Sequence, residues 1–70
     1  MKNAFSLEDQ VRVVDQTSRF YLKIGRVIAT PALGADGQNP DPYRVRFEAV
    51  GGGRAYKSFY QGDLELAHRL

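Results

Sequence analysis

Two stretches of the chain alternate strictly between apolar and polar side chains. In YRVRFE, residues 43–48, Tyr43, Val45 and Phe47 share one face while Arg44, Arg46 and Glu48 share the other. A period of two is what a pleated strand with one buried face imposes, so this segment predicts a central strand. QVRVV, residues 10–14, repeats the pattern with Val11 and Val13 set against Gln10 and Arg12, and predicts the first strand. The β-branched RVIAT, 26–30, predicts a second strand that stops at Pro31, a residue with no N–H to give to a ladder. The run Gly51, Gly52 and Gly53 supplies the positive φ of a tight connection, so AVGGGR links the third strand to a fourth at 55–60. On that strand Phe59 is placed inside, with Lys57 on the same face escaping near the strand end. QGDL, 61–64, predicts a one-turn corner, and ELA, 65–67, a short fifth strand at which Leu64 and Leu66 close the core.

Between these segments the periodicity lapses. Residues 1–6 form a loose lead-in, with Phe5 and Leu7 available to plug one end of the structure. DQTSRFYLKIG, 15–25, opens on Asx and Ser/Thr turn formers and then carries bulky residues, as expected of a long, partly ordered loop. PALGADGQNPDP, 31–42, holds all 3 prolines and predicts a second long loop. No segment shows the 3.6-residue apolar stripe of an ordinary helix. Five short strands joined by Gly and Pro turns predict an all-β chain, a small five-stranded barrel whose closure would remove most exposed sheet edge.

Size and composition narrow the picture. With 70 residues the chain is expected to be a single domain, near the lower limit of independent folding, with no room for a large enclosed active site. Cys 0 excludes disulfides, thiolate metal sites and cysteine nucleophiles, leaving packing or self-association to supply stability. Lys+Arg 10 against Asp+Glu 8 gives a formal net charge of +2, less lopsided than dedicated nucleic-acid domains. No stretch approaches the roughly 18 apolar residues that cross a bilayer, so a soluble, cytoplasmic protein is expected.

In order, LEDQVRVVD, GRVIA, PYRVRFEA and KSFYQGDLELA resemble the SH3-like barrels grouped as electron-transport accessory proteins. These include a small accessory protein of photosystem I, the variable chain of ferredoxin–thioredoxin reductase and the C-terminal part of the nitrile hydratase β subunit. The resemblance covers about residues 7–67 and implies an SH3-like barrel with an accessory role beside a larger enzyme or redox complex. It is most detailed for the nitrile hydratase β subunit, which also has a long polar loop before a YTVRF-like strand. That family's Thr-Arg stretch is echoed in TSRFYLKIG only at Thr17, Arg19 and Tyr21, and its metal-binding cysteines lie in the other subunit. The resemblance therefore implies partner binding and not nitrile hydration by this chain. A weaker resemblance is to the plasmid-borne, trimethoprim-resistant dihydrofolate reductase, a self-assembling SH3-like barrel; of its Val-Gln-Ile-Tyr motif, KSFY keeps Tyr60.

Candidate chemistry is sparse. Arg19, Phe20 and Tyr21 lie in the first long loop, and with Tyr56 and Tyr60 on the fourth strand they are residue types enriched at interface hot spots. They are the expected protein-docking surface, with one of the two loop rings capping the core. Arg26, Arg44, Arg46, Arg54 and Lys57 offer an alternative, a basic strand face that tracks nucleic-acid phosphates, against the plainer expectation of a solvated face neutralised by Glu48. The triple glycine precedes no helix and is a turn and not a phosphate loop. His68 has no second ligand or nucleophile at a telling spacing, and Asp15, Asp63 and Glu65 form no catalytic pair; Asp63 is expected to cap the one-turn corner. No catalytic residue, metal or cofactor is expected. A protein partner or larger complex is the favoured partner, nucleic acid the alternative, membrane none, and homo-oligomerisation open.

Overall fold

A computed structural model describes residues 4–31 and 42–69, and in it the period-two segments become strands. β1 (Gln10–Val13), β2 (Ile24–Ala29), β3 (Tyr43–Glu48), β4 (Arg54–Phe59) and β5 (Leu64–His68) form one antiparallel sheet. Their order is β4-β3-β2-β1-β5. The chain is therefore all-β among the described residues, with a single 3-10 turn, Gln61–Asp63, before the last strand. The barrel expected from the alternation would need β4 to pair with β5. Among the described residues no such pairing occurs, and the sheet is open at those two strands.

The inner face carries the core. Val11, Val13, Val27 and Val45 are wholly buried, and Phe5, Tyr43, Phe47, Phe59 and Leu64 complete one cluster. Cross-strand register explains the set: Tyr43 lies opposite Phe59, Val45 opposite both Val27 and Lys57, and Phe47 opposite Ala55. Phe59 is thus inside, as expected. Lys57 shares that face but sits mid-strand and not near its end, leaving with its ammonium 5.9 Å from the Phe59 ring centroid. Leu66 and Leu7 do not join the core, at 43% and 57% exposure.

Strand ends differ from the periodicity for local reasons. β2 begins two residues earlier than RVIAT because Ile24 and Gly25 already pair with Arg12 and Val11. At Gly25 the inner face has no space for a side chain: a Cβ there would lie 2.5 Å from Val45 Cγ1 and 2.8 Å from the Arg46 carbonyl oxygen. β1 ends at Val13, where its partner strand β5 gives way to the 3-10 turn; beyond it the Val14 N–H donates to the carbonyl of Asp63, the last residue of that turn. Gly51 and Gly52, at φ 97° and 95°, make the β3–β4 connection, where most side chains would be strained. The 3-10 turn has no side-chain cap; the Asp63 N–H donates to the Tyr60 carbonyl instead.

The described part of the lead-in, residues 4–6, is less loose than its composition predicts. Phe5 is buried edge-on against Tyr43, ring centroids 5.2 Å apart, and its N–H donates to the Tyr43 hydroxyl. Asp9, the one buried charged residue among those described, receives the Arg69 guanidinium at 2.8 Å and the Ser6 N–H at 2.8 Å. These bonds, Arg69 first, hold the Asp9 carboxyl below the usual carboxylate range and reciprocally raise Arg69. Both ends of the described chain are thereby tied together. The 31–42 loop lies outside the described residues between 32 and 41.

Candidate functional site

The segment 14–23 joins β1 to β2 across the open end of the inner face, and local bonds build it. Thr17 donates to Asp15 Oδ1 through both its N–H and its hydroxyl, which holds the Asp15 carboxyl below its ordinary range. Phe20 N–H donates to the Ser18 hydroxyl and Tyr21 N–H to the Ser18 carbonyl. The last turn closes through Lys23 N–H to the Phe20 carbonyl, while Leu22 N–H and Val13 N–H bond across the neck of the loop to Val13 and Lys23 carbonyls.

This framework sorts the loop's apolar side chains into two groups. Phe20 turns inward, stacking on Phe47 with centroids 4.4 Å apart and meeting Phe59 edge-on at 6.3 Å, contacts worth about 1 kcal/mol each beyond burial. It is the ring that caps the core. Tyr21, Leu22 and Ile24 turn outward instead, at 40%, 57% and 49% exposure. Leu22 does so from φ 66°, a left-handed conformation that costs a branched side chain about 1–2 kcal/mol. The backbone bond to Val13 holds it there.

Phe20 and Lys23 of this segment, with Ile24 of β2, line an open trough of about 420 Å³. The Phe20–Phe47 stack and Ala49 and Ala55 give it an apolar floor, with Lys23 and Glu48 supplying opposite charges at its walls. Leu22 and Ile24 were missing from the sequence-derived site; their signal was two bulky apolar residues inside a segment of turn formers.

The structure divides the remaining candidates. Arg19 is exposed in the loop. Tyr56 lies opposite Arg46 on β4, hence on the outer face, with Arg44 over its ring at 5.5 Å. Tyr60 is exposed at the 3-10 corner. Tyr56 therefore does not join the loop surface.

Arg26, Arg44, Arg46 and Arg54 share the outer face through their pairings, whereas Lys57 belongs to the inner one and lowers Asp15 through its charge. Carboxylates interrupt the basic face: Glu8 meets Arg26 at 3.2 Å, and Glu48 meets Arg46 at 3.2 Å and Arg54 at 3.6 Å. Farther along, Glu65 meets Arg12 at 2.6 Å. His68 lies on the outer face opposite Gln10. Among the described residues no cluster of three or more His, Asp or Glu could hold a metal ion, and no helix is long and apolar enough to cross a membrane.

Compared with protein-family models, with curated proteins and with solved structures, the chain matches none.

Proposed function

We propose that the protein is a non-enzymatic binding module that docks a protein partner through the 14–23 loop and the start of β2. One observation carries this: Tyr21, Leu22 and Ile24 stand exposed on the segment whose Phe20, Lys23 and Ile24 line a trough that also holds Phe47. Exposed apolar groups contiguous with a concave apolar floor are what a partner's side chain can cover. Leu22 adds to it, because backbone strain at an exposed apolar tip is a cost with no gain to the core. Tyr21 keeps the role expected from the sequence and Arg19 lies on the rim; Phe20 supplies the floor.

The strand order and the one-turn corner before β5 are compatible with an SH3-like barrel, and the accessory role that resemblance implies suits a partner-docking loop. Nucleic-acid backbone tracking on the outer face is less well supported. Glu8 and Glu48 break the continuity of positive charge that a phosphate-tracking surface uses.

A photo-crosslinking residue placed at 21, 22 or 56, one at a time, tests the assignment in the cells that make the protein. Positions 21 and 22 are expected to capture the same protein, with position 56 silent and Leu22→Asp abolishing the adduct at 21. Equal capture at 56, or an adduct at 21 indifferent to Leu22→Asp, would overturn it.

A further inference from the structure

On the outer face, strand register sets Gln10, Arg26 and Arg46 side by side across β1, β2 and β3, with Tyr56 next on β4. Two guanidinium groups thus project from directly opposed positions on neighbouring strands, an arrangement that is repulsive by default. The local carboxylates do not fully offset it. Arg26 has Glu8, but Glu48 is shared between Arg46 and Arg54, so three guanidinium groups meet two carboxylates. The Arg46–Glu48 contact is also poorly aligned. Arg46 Nε is shut off from water and, though 3.2 Å from Glu48 Oε1, makes no hydrogen bond. A buried donor left without a partner is a net cost to the fold, which an acceptor bound there would relieve.

At this point the face sinks into an open pocket of about 230 Å³ lined by Gln10, Ile24, Gly25, Arg26, Arg46 and Glu48. We propose that this pocket binds a phosphate group, gripped by the guanidinium groups of Arg26 and Arg46 with the Gln10 side-chain amide as a further donor. A doubly charged anion between two opposed cations turns their repulsion into attraction, and guanidinium groups match phosphate oxygens with paired N–H donors. Glu48 opposes the anion, so it sets the affinity and must yield its contact with Arg46. The pocket adjoins the docking surface, sharing Ile24 and Glu48 with the trough, but its anion-binding groups, Gln10, Arg26 and Arg46, take no part in the docking surface. Tyr56, adjoining in the same row, distinguishes two sources of the phosphate. A nucleotide would place its base against that ring or the Arg44 guanidinium above it, whereas free phosphate would leave both untouched.

The test is an NMR titration of the labelled protein with pyrophosphate, then with ADP, at constant ionic strength, following arginine Nε–H and glutamine side-chain signals. Saturable shifts at Gln10, Arg26 and Arg46 are expected, with Glu48→Gln tightening binding about tenfold and Arg46→Lys weakening it by at least that factor. Arg26→Gln serves as a second loss variant should Arg46→Lys disturb the sheet. ADP binding more tightly than pyrophosphate with a shift at Tyr56 assigns the phosphate to a nucleotide; equal binding with Tyr56 silent assigns it to free phosphate. Shifts that fail to saturate and spread evenly over Arg19, Arg44 and Lys57, or a Glu48→Gln protein that binds no better, would overturn the proposal.

Discussion

The two irregular segments flanking β1 have similar polar compositions and opposite roles. Residues 4–9 turn their one large ring, Phe5, beneath Tyr43 and tie Asp9 to Arg69, 60 residues away. Residues 14–23 are held by short-range turn bonds, give one ring to the core and face Tyr21 and Leu22 outward. The first segment is made by distant contacts and stabilises the sheet. The second is tied to the sheet at Val14 and Phe20 and otherwise built by local bonds, so its exposed side chains can vary with little effect on the fold, which suits a binding surface.

That contrast breaks most sharply at Phe5. Phe5→Ala is expected to cost about 3–5 kcal/mol, as for other buried aromatic truncations, read from the urea midpoint. A loss under about 1 kcal/mol would mean the lead-in is not an anchor.

Next in size is Gly25→Ala, at the point where the loop passes into β2. The added methyl meets the Arg46 carbonyl and the Phe47 ring, at 2.8 and 2.9 Å, and the backbone oxygen cannot step aside. A loss of about 1–3 kcal/mol is expected from overpacking, measured in the same way.

Asp9→Asn should destabilise less than either, and should change the acid response. The Arg69 guanidinium and the Ser6 N–H hold the Asp9 carboxyl below its unfolded value, which is about 3.9. The native state therefore binds this proton less readily than the unfolded chain. The resulting stability is fully present above about pH 5 and is lost as pH falls through the lowered native value. Thermal melts between pH 7 and pH 2.5 should show a steeper acid decline in the parent than in Asp9→Asn; parallel declines would remove Asp9 as the acid-sensitive tie.

The smallest stability effect belongs to the loop tip. Leu22→Asn puts a residue that tolerates positive φ at φ 66° and removes an exposed side chain, so stability should stay within about 1 kcal/mol. Partner capture at position 21 should nonetheless fall. Stability and capture lost together would make the loop a structural segment like 4–9.

Much of the sheet was legible in advance. Residues 43–48 form β3 with the predicted faces, Val11 and Val13 are buried on β1, and the one-turn corner precedes β5. Each depends on neighbours two to four positions apart. The candidate site was only partly legible. Tyr21 and Arg19 were named, but the inward turn of Phe20 depends on Phe47 and Phe59, and the outward turn of Leu22 on a bond to Val13. The basic residues were read as one stripe. Register separates Lys57 from the arginines, because position 57 lies opposite Val45 and not opposite Arg44 or Arg46.

Alternation, turn residues and composition were enough to specify an all-β chain, its strands in order and most of its core, because a pleated backbone imposes its period on every other side chain. Strand order, the lack of β4–β5 pairing among the described residues, the Asp9–Arg69 tie and the pocket between Arg26 and Arg46 came only with the tertiary structure. Each joins residues distant in sequence, and register decides which charges are neighbours and which are kept apart.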